Sequence, residues 1–390
     1  MISKLRLGVI GAGNMGSGHC KNLMRGITPE IELAAVADRR ESRRAWAEAE
    51  FHVPVFTEGE DLIQSGLCDA VMIAVPHYQH PQLTISALSH GLHALCEKPI
   101  AVYTLAAREM IDAASRSDKT FALMFNQRTN PLYIKCKELL SSGGMGALKR
   151  VNWIITDWYR TQLYYDSGAW RATWNGEGGG VLLNQCPHQL DLLQWLCGMP
   201  TRIRAFCHEH QWHDIEVEDD VTAYLEFANG ASGVFVTTTG DLPGTNRLEI
   251  TTEYGKMICE DGKLTVHKLP VSEREFCVTS KEGFGKLPAE MTEYAFDEPP
   301  YPHAAVMNAF AAHILHGEPL TARGEEGIRE LTISNAMYLS SWLNKPVELP
   351  MDEALFLKLL NRKRAASKHK EDREITFSTD NSYGGTAAKP

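Results

Sequence analysis

A chain of 390 residues is too long for one ordinary core, so two domains are expected. Its 44% apolar and 23% charged residues are those of a globular protein, and a formal charge of −10 argues against nucleic acid or an anionic membrane as partner. No apolar run approaches a membrane span, and no early stretch joins a basic segment to an apolar one as a secretory signal would. Nine cysteines lie scattered from Cys20 to Cys277 without a C-x-x-C pair. Cys68, Cys96 and Cys197 sit in apolar runs, the pattern of a reduced, cytoplasmic protein.

Up to about residue 125, short apolar runs (5–11, 31–38, 69–76, 92–99 and 120–126) alternate with helical stretches. The runs are continuously apolar, as strands covered on both faces must be. Right-handed crossovers between them give an α/β domain over 1–128, a doubly wound parallel sheet of Rossmann type. The first run ends in Gly11-Ala12-Gly13-Asn14-Met15-Gly16, a G-x-G-x-x-G at the mouth of a helix. In that pattern Gly11 permits the tight turn, Gly13 the approach of a pyrophosphate, and Gly16 the packing of helix on strand. The helix N-terminus offers its N–H groups to the phosphates. Asp38 closes the second run, 22 residues after Gly16, where a carboxylate accepts hydrogen bonds from the adenosine ribose and repels a 2′-phosphate. NAD is the expected cofactor. Arg39 and Arg40 follow at once, either solvated or able to hold a 2′-phosphate, so NADP stays open.

Glu97-Lys98-Pro99 ends the run at 92–99, at the carboxyl edge of the sheet, where ligands of open α/β folds bind. There Lys98 either points across a nicotinamide or forms a structural ion pair with Glu97. From about 148 the chain alternates polar and apolar residues, with turn signals at Asn229-Gly230 and Asp261-Gly262. That texture predicts an α+β domain over 129–350 with a mostly antiparallel, open-faced sheet. Helical periodicity covers 303–316 and 325–343. The C-terminal segment 351–390 is expected as a helix, tail or arm, and its polar stretch 362–390 reads as a tail or an arm laid on a neighbour.

Within the second domain GEGGGVLLNQCPHQLD (176–191) sets three glycines ahead of Asn184, His188 and Asp191, which share a ~60° arc of a helical wheel. The glycines are expected to let backbone approach nicotinamide and substrate, and the polar arc to face the cleft between domains. Pro187 cannot donate to the Leu183 carbonyl, so the helix is kinked or starts near 186. Spacing alone equally allows His188 to be a core histidine bonded to Asp191. Just upstream, Tyr159, Arg160, Trp170 and Arg171 stand with Asp157, Trp158, Tyr164, Tyr165 and Trp174, the aromatic and charged mixture of a carbohydrate pocket. His208 and His210 have strand spacing and no distant partner pair, so no metal site is expected.

Together GAGNMG, the EKP triplet and GGG-x-x-x-N-x-x-x-H-x-x-D resemble the Gfo/Idh/MocA family of nicotinamide-dependent sugar and polyol oxidoreductases, in the family's order and over about residues 4–350. V-P-H-Y-Q-H (75–80) is similar to the family's T-P-N-x-x-H segment, with His77 in place of asparagine. The resemblance implies that Val75, His77, His80, Glu97 and Asn126 join the glycine motif around the cofactor. It also implies that Lys98 is the catalytic lysine, with a cis bond before Pro99, and that His188 is the second catalytic residue. The implied reaction is hydride transfer between nicotinamide and a secondary alcohol or ketone of a sugar, glycoside or cyclitol, in a homodimer or homotetramer. Two alternatives come with the same fold. One is an NAD-dependent glycoside hydrolase using transient oxidation at C3; the other is a non-catalytic dinucleotide-binding regulator, against which the intact EKP counts. Many sugar dehydrogenases of the family have Asp where Asn184 stands, so Lys98 and His188 are expected to lack a carboxylate partner.

Overall fold

The computed structural model describes residues 4–297, 301–371 and 375. Its first sheet contains β1 (Leu5–Ile10), β2 (Ile31–Ala37), β3 (Val55–Phe56), β4 (Ala70–Ile73), β5 (His93–Cys96) and β6 (Phe121–Leu123). They lie in the order β3-β2-β1-β4-β5-β6, parallel throughout. The five expected strands are present. The edge strand β3 was not expected, because two residues carry no periodicity. The order reverses between β1 and β4, and their carboxyl ends open the crevice in which such sheets bind ligands. Helices α1 (Asn14–Met24) and α2 (Glu41–Phe51) cover one face of this sheet, and α3 (Gly59–Gln64), α4 (His80–Ser89) and α5 (Thr104–Ser115) the other.

After α6 (Pro131–Ser141) the chain enters a second sheet: β7 (Leu148–Ile155), β8 (Arg202–Glu209), β9 (Glu218–Glu226), β10 (Ser232–Thr238), β11 (Asn246–Thr252), β12 (Gly255–Glu260), β13 (Lys263–Lys268), β14 (Glu290–Ala295) and β15 (Val347–Glu348). The order is β14-β13-β12-β11-β7-β10-β9-β8-β15, and every adjacent pair is antiparallel except β7 with β10. Asp261-Gly262 forms the two-residue turn of the β12–β13 hairpin, with φ of 50° and 72°. Asn229-Gly230 lies in the β9–β10 turn.

The remaining helices are α7 (Gln162–Asp166), α8 (Pro187–Cys197), α9 (Glu273–Thr279), α10 (Pro302–His316), α11 (Gly327–Leu343) and α12 (Glu353–Ala366). Of these, α8 and α11 pack on the inner face of the second sheet, where Val221, Ala223 and Leu225 of β9 are buried while Thr222 and Tyr224 between them are exposed. In chain order α10 falls within the second domain, yet it packs on the first. Its Ala304, Met307 and Phe310 share a core with Val9, Met72 and Leu95 and with Cys20 of α1. A parallel sheet needs cover on both faces, and this helix completes it.

Of the C-terminal segment expected as a helix, tail or arm, Glu353–Ala366 form α12. Residues 362–366 continue α12, which Asp352 caps by accepting the Leu355 N–H at 2.9 Å and which buries Phe356 and Leu360. Residues 367–371 then follow the chain's own surface: the Ser367 hydroxyl donates to Glu216, and Lys370 Nζ donates to the carbonyls of Tyr165 and Arg171. Residues 372–374 and 376–390 of that segment lie outside the described residues.

Candidate active site

A cavity of about 850 Å³ lies where the two sheets meet. The first domain contributes Gly11, Gly13, Asn14, Met15, Asp38, Arg39, Arg40, Val75, His77, Glu97 and Lys98 to its wall. The second contributes Trp158, Arg160, Tyr164, Trp170, Arg171, Asn184, Gln185 and His188.

Gly11 has φ +95°, and a side chain there would collide with the Ala74 carbonyl. One at Gly16 would collide with the Gly11 carbonyl, so Gly16 packs α1 onto the loop and is off the wall. At Gly13 an added Cβ would meet only the Arg40 guanidinium, at 3.6 Å, which leaves the wall as bare backbone. Gly13 at the N-cap of α1 offers no capping side chain, and a helix N-terminus directs N–H groups and a positive dipole end toward the cavity side. The Asp38 carboxylate accepts the N–H groups of Ala12 (2.8 Å) and Arg40 (2.9 Å), which holds it beside the loop. Arg40 Nε approaches it at 3.3 Å, while Arg39 turns to Glu58 at 2.9 Å. A helix start, a glycine without a side chain and an anchored, hydrogen-bond-accepting carboxylate together fit a dinucleotide.

The Lys98–Pro99 bond is cis. Glu97 does not pair with Lys98 side chain to side chain; its Oε1 lies 2.7 Å from Nε2 of buried His19. Burial would raise Glu97, but the His19 hydrogen bond and charge, with His303 and Lys98 nearby, hold it at about 2. Lys98 Nζ instead donates to the main-chain carbonyl of Asn184 at 2.7 Å. Burial lowers the Lys98 pKa, Glu97 and Glu177 oppose that, and Arg171 adds to it. His188 is buried beside Phe125, and burial together with Lys98 pushes its imidazole well below the ordinary range, so it is neutral at pH 7.

The three glycines serve a different purpose from the expected one. None lines the cavity. A side chain at Gly178 (φ +88°) would collide with Val102, one at Gly179 with the Tyr338 hydroxyl, and one at Gly180 with the Glu218 carbonyl. The turn is anchored by buried Glu218, whose carboxyl accepts the N–H groups of Gly180 and Leu182 (2.9 Å each) and the Tyr338 hydroxyl (2.7 Å). Burial pushes Glu218 up to about 8 against those bonds.

Helix α8 starts at Pro187, where the missing N–H is no loss, so Asn184 precedes it and the wheel does not extend back that far. Within the helix Asp191 is turned away, in a buried bidentate ion pair with Arg128 (2.7 Å to each oxygen). The Asn184 amide donates to Glu177 while its carbonyl takes Lys98. A carboxylate therefore does stand near Lys98, supplied by the glutamate of GEGGG. The sequence offered one signal for it, an acidic residue set between glycines at the head of an apolar run.

Residues 5–125 match the oxidoreductase family with an NAD-binding Rossmann fold, and residues 133–258 match the GFO/IDH/MocA C-terminal domain. An oxidoreductase of Formosa agariphila is 30% identical over 238 residues, 59% of this chain and 71% of that protein. The chain belongs to the Gfo/Idh/MocA family. It is an NAD-binding oxidoreductase. Inositol 2-dehydrogenase of Rubrobacter xylanophilus is 33% identical over 194 residues, 49% of this chain, and the match spans only 52% of that relative. The WlbA dehydrogenase of Bordetella pertussis, solved in complex with NADH and UDP-GlcNAcA, is similar with a TM-score of 0.75 at 25% identity, over 90% of this chain and 100% of that one.

Three further expected positions, His80 and Asn126 from the family pattern and Tyr159 from the aromatic cluster, are off the cavity wall. His80 is buried, and its ring nitrogens face the carbonyls of Pro99 (2.8 Å) and Val75 (2.9 Å), tying the EKP turn to the loop after β4. Asn126 is fully buried with its amide 3.4 Å from His303 Nε2. Tyr159 is 39% exposed, because successive side chains leave the backbone in different directions and its neighbours Trp158 and Arg160 take the inward ones. On the wall, Arg160 stacks over Trp158 and Tyr164, and Arg171 lies between Tyr164 (4.4 Å) and Trp170 (4.5 Å).

Proposed function

We propose that this family member is an NAD-dependent dehydrogenase or reductase acting on a secondary alcohol of a sugar, glycoside or cyclitol, with Lys98 moving the hydroxyl proton. One observation carries the reading. A partly buried lysine on the cavity wall, which the glycine-loop residues and His188 also line, has its ammonium against a neutral carbonyl. Gly11, Gly13, Asn14, Met15, Asp38, Arg39, Val75, His77 and Glu97 would hold NAD, which supplies or accepts a hydride when bound. Lys98 takes the proton from the substrate hydroxyl or returns it. A lysine useful at neutral pH must fall from about 10.4 to about 7–8, roughly 4 kcal/mol, and burial works in that direction. Neutral His188 orients the hydroxyl by a hydrogen bond, and Arg160, Trp170, Arg171 and Asn184 enclose the rest of the substrate. The inositol 2-dehydrogenase relative and the aromatic wall support a polyol.

We also read the protein as cytoplasmic and homo-oligomeric. Its nine cysteines are free, and the outer face of the second sheet exposes Ile154, Phe206 and Tyr224. The test of function is a panel of sugars, glycosides and inositols assayed with NAD by NADH absorbance. Substrate-dependent NADH formation supports a dehydrogenase. Glycoside cleavage without net NADH would make it a hydrolase, and NADH binding without turnover across the panel would make it a regulator.

A further inference from the structure

We infer that Glu177 is the positioning carboxylate of the proton-transfer site: it fixes residue 184, whose main-chain carbonyl holds Lys98, and it places a carboxylate beside that anchor. This rests on the reading of Lys98 as the proton-transfer residue. Glu177 is 1% exposed and gathers three segments. Its Oε2 accepts the Ala172 N–H at 2.5 Å, its Oε1 accepts the Asn184 amide, and Arg171 Nη1 lies 3.9 Å away. Its own carbonyl faces His77 Nδ1 at 3.1 Å. One buried side chain thus spans the loop from Arg171 to Asn184 and touches Lys98 only through residue 184.

A neutral glutamine could accept the Ala172 N–H and, with the Asn184 amide turned over, donate to its oxygen, so a merely structural clamp needs no charge. A buried carboxylate is costly unless its charge is used or paired. The groups that bear on Lys98 are Glu97, Glu177, Arg171 and Glu330, together with His77, His80, His188 and His303. Those that bear on Glu177 are Arg171, Lys98, Tyr165 and Lys370. Glu97 is already committed to His19. Glu177 is the carboxylate linked to the lysine's own anchor.

An opposite charge favours the protonated amine, so removing it lowers the Lys98 pKa. Alcohol oxidation needs the free amine, and its kcat/KM limb then moves to lower pH. In E177Q the limb is expected to fall by about one pH unit. N184A keeps the charge but loses the link, so its limb should stay while the plateau kcat/KM drops about tenfold, on the order of 1.4 kcal/mol. NADH binding reports folding in both. An E177Q limb that coincides with wild type overturns the role of the charge, and an unchanged N184A plateau overturns the positioning, even if E177Q does not fold. Near-normal turnover in K98M would instead remove the reading of Lys98, which separates the two failures.

Discussion

At Gly13 an added Cβ would meet only Arg40, at 3.6 Å, whereas at Gly180 it would collide with the carbonyl of Glu218. Both glycines sit in runs that read alike, and both mark a close approach of backbone. What approaches differs. After Gly13 comes a helix start that faces a cavity, a place suited to a ligand. Around Gly178–Gly180 it is filled by Val102, Tyr338 and Glu218, so the run is a packing joint that carries Asn184 to Lys98.

Alanine at each position separates the two roles. Gly180→Ala is expected to lose about 1–3 kcal/mol of stability or more, because overpacking against backbone has no cheap relief. Thermal unfolding measures it, and the fraction that folds should bind NADH normally. Gly13→Ala should leave stability within about 0.5 kcal/mol and weaken NADH roughly tenfold, read by fluorescence titration. Reversed outcomes would break the contrast.

Smaller changes sharpen it. Asp38→Ser removes the carboxylate held by Ala12 and Arg40, so the preference for NAD over NADP should narrow several-fold in paired kcat/KM measurements. A wild-type enzyme that already prefers NADP would contradict that role. Asn184→Asp sets a second carboxyl against Glu177. Close carboxyls share a proton, so the charge near Lys98 is unchanged and the kcat/KM limb should move by only a fraction of a pH unit. A limb displaced by as much as one whole pH would mean that Glu177 does not face residue 184.

The parts of the site legible in sequence are those whose chemistry is local. The glycine loop, Asp38 and Lys98 each end a strand, and the cavity collects them. Partners that meet only in the folded chain are not legible. Asp191 looked like part of a polar arc until Arg128, 63 residues away, took both its oxygens. His80 matched a cofactor motif, yet its ring is occupied by the carbonyls of Pro99 and Val75. Glu177 was passed over because its partners Ala172, Asn184 and Arg171 meet it only when the turn is folded. The same holds for α10, whose periodicity marks a helix but not the sheet it covers.

The most direct measurement is turnover and NADH affinity of Lys98→Met beside wild type, with the best substrate of the panel. General acid–base catalysis is worth about 10²–10⁴ in rate, so kcat should fall by that factor while NADH still binds. Near-normal kcat in a variant that binds NADH would contradict the assignment of Lys98 as the group that moves the proton.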